Sequence, residues 1–232
     1  MAIKLKKRSI GVVIVAAGQA SRMQGQDKIL ATLAGKTVLL HAIKPFLSIK
    51  NVDRIVIVLN RTNHQIAKRI IEKAGLSGRV ITCLGGKRRQ DSTLAGVKKL
   101  GKCDIVVVHD GARPLITAEI IERGLSAVKE TGCATAAVPV KDTIKLVGSG
   151  NIVEKTLDRD NLWHIQTPQV FEYHLLMQAF KHNDSDVLDD TQLVEKAGGR
   201  VKLYPGAYDN IKITTPEDLV IAGTLLKQKK RK

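Results

Sequence analysis

Aromatic side chains are scarce: one Trp, three Tyr and three Phe make up 3% of 232 residues. Proteins that grip single-stranded nucleic acid need stacking platforms, so this scarcity argues against that class. Cysteine is equally sparse. Cys83, Cys103 and Cys133 lie 20 and 30 residues apart with no C-x-x-C spacing, which argues against a disulfide framework or a zinc cluster. Three small thiols in a reducing compartment are the expectation. No apolar run reaches the length of a membrane-spanning helix, and no apolar run of signal-peptide length follows the basic start before Gly18. The cytoplasm is the expected location.

Acidic residues are the remaining deficit: 22 Asp and Glu face 38 Lys and Arg, for a formal charge of +16. A chain this basic first suggests a polyanionic partner, nucleic acid or a membrane surface included. Location weakens the suggestion. Residues 4–8 (KLKKR) carry four cations and 227–232 (KQKKRK) carry five, with no acid in either; the other 29 cations against 22 acids leave +7. Terminal runs of this kind read as solvated basic tails, 1–8 and 227–232. Neither nucleic acid nor a membrane is the expected partner.

Apolar residues at 44% and charged residues at 26% are ordinary for a globular chain. The length suits one domain spanning 1–232, and no linker, repeat or low-complexity segment divides it. Strand-like runs recur at 9–17, 54–60, 79–84, 104–110 and 132–140. They are β-branched without clean alternation, as in strands covered on both faces. Helical patterns fill the gaps, one of them containing Pro45 as an expected kink, and several stop at glycine. The βαβαβ order predicts an α/β, Rossmann-like, mainly parallel sheet flanked by helices. Residues 141–159 break the rhythm with two short strands around Gly-Ser-Gly, a protruding β-arm with little core of its own. Such an arm is expected to pack on a second copy. Residues 215–228 read as a final helix with Thr215 at its N-cap and Pro216 at N1.

In open parallel sheets, ligands bind outside the C-terminal strand ends, so those loops carry the candidates. After the first strand comes AAGQASRM, with small residues around Gly18 that permit close backbone approach and two cations, Arg22 and Lys28. The loop matches neither GxxxxGK[ST] nor GxGxxG. Its cations either solvate the loop or clamp a transferring phosphoryl group. After the third strand, GGKRRQDST sets a glycine pair and Ser92 at a helix start, either a ligand-facing turn or a plain capped helix. After the fourth, HDGARP offers Asp110 for Mg²⁺ or substrate hydroxyls, or as a helix cap, with Arg113 for phosphate.

Together AAGQASRM with Lys28, GGKRRQDS, VHDGARP, VPVKDTIK, DRDNLWHIQTPQ and DNIKITTPEDL resemble, in collinear order over about residues 10–226, the 2-C-methyl-D-erythritol 4-phosphate cytidylyltransferases of the non-mevalonate isoprenoid pathway. The resemblance implies transfer of CMP from CTP to a small sugar-alcohol phosphate with loss of pyrophosphate, Mg²⁺ as cofactor, and a homodimer. It assigns Arg22 and Lys28 to charge stabilisation at the α-phosphate, and Arg159 and Lys212 to orienting the acceptor. Asp110, Gly111, Arg113, Thr143 and Thr167 become acceptor contacts, with Asp110 also the candidate metal ligand. Ala16, Ala17, Gly18, Gly86 and Ser92 become the cytidine site, and residues 139–157 the dimer arm. Four departures stand out. Ala20 replaces a glycine, Asp27 stands where proline is usual, Lys87 where an acidic or polar residue is common, and Leu188 where threonine is. Asp27 is expected to loosen the loop and partly offset Lys28. Trp163 and His164 are expected to pack together and brace the QTPQ loop. A ribitol 5-phosphate cytidylyltransferase, a non-catalytic nucleic-acid-binding module and a CTP-binding regulator are the competing readings.

Overall fold

The computed structural model describes residues 8–18, 23, 27–181 and 185–229. Arg22, Ala20, residues 1–7 of the N-terminal tail and 230–232 of the C-terminal tail therefore lie outside the described residues.

Seven strands form one sheet: β1 (Ile10–Ala16), β2 (Val52–Leu59), β3 (Val80–Leu84), β4 (Ile105–Asp110), β5 (Cys133–Pro139), β8 (Trp163–Glu172) and β9 (Lys202–Pro205). The short strands β6 (Lys145–Val147) and β7 (Val153–Thr156) pair only with each other. The sheet order is β9-β5-β8-β4-β1-β2-β3, and only β8 runs antiparallel to its neighbours. Val12, Val13 and Ile14 of β1 are fully buried, because helices cover both faces. Burying each such side chain contributes about 1.5–3 kcal/mol, which selects β-branched residues on both faces of the strand.

Seven helices flank the sheet: α1 (Val38–Leu47), α2 (His64–Lys73), α3 (Arg89–Leu100), α4 (Ala118–Thr131), α5 (Tyr173–Lys181), α6 (Asp190–Lys196) and α7 (Pro216–Lys229). Their ends follow local chemistry. Thr37 accepts the Leu40 N–H to start α1, Asp189 accepts the Gln192 N–H to start α6, and Gly132 ends α4 in the left-handed region at φ 77°. Pro45 lies inside α1, where it has no N–H to give the His41 carbonyl one turn back. α7 starts at Pro216, which puts Thr215 at the expected N-cap position, and the Asp218 carboxylate reaches back to accept the N–H groups of Thr214 and Thr215 at 2.8 and 2.9 Å.

Three expectations need correction. Residues 163–172 form a ten-residue strand rather than a loop, with the register to β5 shifting between Ile165 and Gln169 around Pro168, which has no N–H to give the ladder. Trp163 and His164 are exposed, Trp163 at 40%, so they are not a packed brace. Residues 227–229 belong to α7 rather than to a solvated tail, and Lys229 pairs with Asp209 at 2.8 Å. The arm matches its expectation in shape: every residue of β6 and β7 is exposed, and the turn joining them needs Gly150 at φ 67°.

Candidate active site

The strand order reverses between β4 and β2 around β1, which opens a crevice beyond the C-terminal strand ends. A cavity of about 780 Å³ occupies it, lined from β1 by Val15 to Gly18, from the β2 end by Asn60 to Thr62, and from the β3 loop by Gly86 to Arg89 with Ser92. Asp110, Ala112 and Lys212 close one side and Asp27 to Ile29 the other. Among the described residues of this lining, six cationic side chains face two carboxylates. That balance suits a polyanion of nucleotide size.

The β3 loop shows why two glycines stand together. A Cβ on Gly85 would come within 2.7 Å of the Ala17 Cβ and 2.6 Å of the Ser92 Oγ, and one on Gly86 within 2.4 Å of the Asp91 Cβ. Close approach, not unusual backbone angles, imposes the pair. Ser92 then accepts the Gly86 N–H at 3.2 Å and donates to the Arg88 carbonyl at 3.2 Å. The serine holds the cavity wall in place, and the Asp91 carboxylate closes the start of α3 by accepting the Arg88 N–H at 3.2 Å.

Asp110, at the end of β4, is the electrostatic centre. It is 7% exposed. Lys212 Nζ lies 2.9 Å from its carboxylate, Arg89 Nη2 3.3 Å and Arg113 Nε 3.6 Å. Burial alone would raise its pKa, but Lys212, Arg89 and Arg113 together hold the carboxyl well below the usual range. Arg89 also pairs with Asp190 at the start of α6, and Gln169 of β8 fixes that helix start by accepting the Asp190 N–H at 3.2 Å. Arg89 therefore bridges two acidic anchors while keeping about a quarter of its side chain exposed at the cavity.

Beneath Asp110 lies a neutral relay. Thr167 accepts the Asp110 N–H at 3.0 Å and sits 3.0 Å from His109 Nδ1, while His109 Nε2 lies 3.2 Å from the Arg113 carbonyl. A carbonyl only accepts, so the imidazole proton sits on Nε2, and the Thr167 hydroxyl donates to Nδ1. Burial lowers the His109 pKa to about 4. Asn210, fully buried, donates to the Thr167 carbonyl at 2.9 Å and accepts from Arg113 at 2.7 Å. Ile213 N–H bonds to the Ala112 carbonyl at 2.8 Å. These bonds bring Lys212, on a segment without regular structure, to Asp110.

The structure thus brings Ala16, Ala17, Gly18, Lys28, Gly86, Ser92, Asp110 and Lys212 to one cavity. Arg113 and Thr167 lie under it, with their polar atoms turned to Asp110, Asn210 and His109 rather than into the open volume. Gly111 is buried beside Ala16, where an added Cβ would meet the Ala16 Cβ at 3.0 Å. Arg159 and Thr143 are exposed and do not line the cavity; Arg159 donates to the Lys141 carbonyl at 3.0 Å. Arg89, a cavity cation, was not singled out from sequence. Its partners Asp110 and Asp190 lie 21 and 101 positions away, and only an arginine at the first turn of α3 signals it.

Asp27 behaves otherwise than expected. Its carboxylate accepts the Ile29 N–H at 3.0 Å and the Asn63 side-chain amide at 3.0 Å. The turn is pinned rather than loosened. Asp110 does not fit the part of metal ligand, because Lys212, Arg89 and Arg113 already face its two oxygens. Among the described residues no group of three His, Cys, Asp or Glu side chains could hold a metal ion, and no helix is long and apolar enough to cross a membrane.

Comparison with known proteins agrees with this geometry. A family model for 2-C-methyl-D-erythritol 4-phosphate cytidylyltransferase matches residues 10–228. The protein of that name from Dehalococcoides mccartyi strain 195 is 47% identical over 219 residues, covering 94% of this chain and 96% of its own length. Its namesake from Alkaliphilus oremlandii is 43% identical over 226 residues, covering 94% and 95%. The crystal structure of 4-diphosphocytidyl-2C-methyl-D-erythritol synthase from Anaerococcus prevotii superposes with a TM-score of 0.83 at 31% identity, over 95% of this chain and 99% of that one. The chain belongs to the 2-C-methyl-D-erythritol 4-phosphate cytidylyltransferase family.

Proposed function

We propose that this chain transfers CMP from CTP to 2-C-methyl-D-erythritol 4-phosphate, forming 4-diphosphocytidyl-2-C-methyl-D-erythritol and pyrophosphate. The observation that carries the reading is the cation-rich cavity at the strand reversal, holding Lys28 on one side and Lys212 on the other, in a chain of this family. An oxygen of the acceptor phosphate attacks the α-phosphorus. A new P–O bond forms as the bond to the β-phosphate oxygen breaks, and pyrophosphate leaves with that electron pair. The nucleophile is already anionic near neutral pH, so no side chain need deprotonate it. The protein's contribution is positioning and stabilisation of charge.

Lys28, with Arg22, is assigned to the α-phosphate, and Gly18, Gly86 and Ser92 shape the cytidine side. Lys212 turns to the acceptor, held by Asp110. Arg89, anchored on two carboxylates, adds a fixed cation to the same wall. Arg113 and Thr167 act through Asp110 and the segment of Lys212. Mg²⁺ enters as the Mg–CTP substrate, a reading supported by the prior engagement of Asp110 with three cations. Arg159 and Thr143 belong to the arm region, and the arm of residues 139–157 pairs two copies so that each completes the other's acceptor pocket. Support for that pairing comes from the exposed Leu146, Val147, Ile152, Val153, Trp163 and Ile165. Three free thiols and soluble anionic substrates suit the cytoplasm.

Incubating the protein with CTP, Mg²⁺ and either methylerythritol phosphate or ribitol 5-phosphate, with pyrophosphate as readout, tests the acceptor. Faster turnover with methylerythritol phosphate is expected. Equal or faster turnover with ribitol 5-phosphate would overturn the choice.

A further inference from the structure

Lys28 is the first cation on its loop that the structure describes, and its reach depends on where its backbone is held. Asp27, immediately before it, closes a turn with three hydrogen bonds: its side chain takes the Ile29 N–H, and its carbonyl takes the N–H groups of Leu30 and Ala31 at 3.1 and 3.0 Å. Ile29 is 2% exposed and anchors the far side of the turn in the core. The second Asp27 oxygen receives the Asn63 amide at 3.0 Å. Asn63 is itself 1% exposed and ties down three places at once. Its amide donates to the Ala16 carbonyl at the end of β1 at 3.2 Å, and it exchanges backbone-to-side-chain bonds with Asn60 at the end of β2 at 2.9 and 3.0 Å.

We propose that Asp27 and Asn63 form a latch that positions Lys28 for phosphoryl transfer. A carboxylate accepts on both oxygens, and here one faces the Lys28 turn while the other faces the strand ends. The negative charge at the cavity rim is tolerated because both oxygens are turned to the protein's own N–H groups. An asparagine at 27 has one acceptor, so either orientation of its amide loses one of the two bonds. Both are positioning residues, acting through Lys28 without touching substrate.

The inference rests on the assignment of Lys28 to the α-phosphate, and the test separates the two. With Mg–CTP and methylerythritol phosphate, Asn63→Ala and Asp27→Asn should each lower kcat about 10- to 100-fold, the scale of a misplaced catalytic group, with little change in KM for CTP. Asn63→Ala should lower kcat no further in a Lys28→Ala background. A loss of equal factor with Lys28 present or absent would overturn the latch. A Lys28→Ala variant with unchanged kcat would overturn the assignment of Lys28 itself, and the latch with it. Asp27→Asn keeps the side-chain volume, and an unshifted melting temperature with reduced kcat supports the latch where Asn63→Ala fails to fold.

Discussion

Acidification should expose the neutral relay under the site. His109 is fully buried against the Phe46 ring, with centroids 5.3 Å apart, and both ring nitrogens are engaged by neutral partners. Burial lowers its pKa from 6.5 to about 4; nearby Asp110 pulls the other way, and Arg113 and Lys212 reinforce the fall. The unfolded chain therefore takes up the proton first as pH drops. Its contribution to stability is fully present above about pH 6.5 and is lost between there and pH 4, for a total of about 3 kcal/mol at 1.36 kcal/mol per pK unit. At pH 5 about 2 kcal/mol of it should be gone. Urea unfolding of the wild type and of His109→Gln at pH 7.5 and 5.0 isolates the effect, because other groups titrate in both proteins. The wild type should lose about 2 kcal/mol more than the variant on acidification. Losses equal to within about 0.5 kcal/mol, or an imidazole ¹⁵N titration centred near the unperturbed pKa of about 6.5, would refute the reasoning.

Asp110→Asn removes the charge that three cations share and should cost about 3 kcal/mol, lowering the melting temperature by about 6–12 °C for a chain of this size; an unchanged melting curve would count against the network. Because the Asp110 carboxyl sits below the usual range, that contribution is present above about pH 4 and fades only as the pH falls further. Lys28→Ala should lower kcat by about two to three decades with modest change in KM for CTP, measured by pyrophosphate release. Arg159→Ala should act chiefly on KM for methylerythritol phosphate, and unchanged acceptor kinetics would remove its assignment. On the proposed pairing of arms, Ile152→Asp, at a position 70% exposed in the single chain, should sediment as a monomer where the wild type sediments as a dimer, with the fold intact.

The parallel core was legible because buried strands impose a composition. Val12 to Val15, Ile55 to Leu59 and Ile105 to Val108 are β-branched or aliphatic without alternation, and all became strands of the main sheet. Strand β8 was not legible, since Gln166, Thr167, Pro168 and Gln169 read as a polar loop. The polar side chains of Gln166, Thr167 and Gln169 are buried because Asn210, His109, Thr135 and Asp189 satisfy them from distant parts of the chain. The same blindness to long-range pairing hid Arg89, whose partners Asp110 and Asp190 lie far along the chain. Short loop motifs placed Gly18 and Gly86 at the cavity, and at Gly86 close backbone approach is the requirement. They failed where a polar side chain's partner lay elsewhere in the fold, as with Asp27 and Asn63, 36 positions apart.

The most direct test of the account is a crystal structure of the protein with CTP and Mg²⁺ bound. The α-phosphate is predicted beyond the C-terminal end of β1, with a non-bridging oxygen about 3 Å from Lys28 Nζ and Arg22 closing over it. A triphosphate seated outside this cavity, or a Lys28 ammonium directed away from it into solvent, would contradict the account.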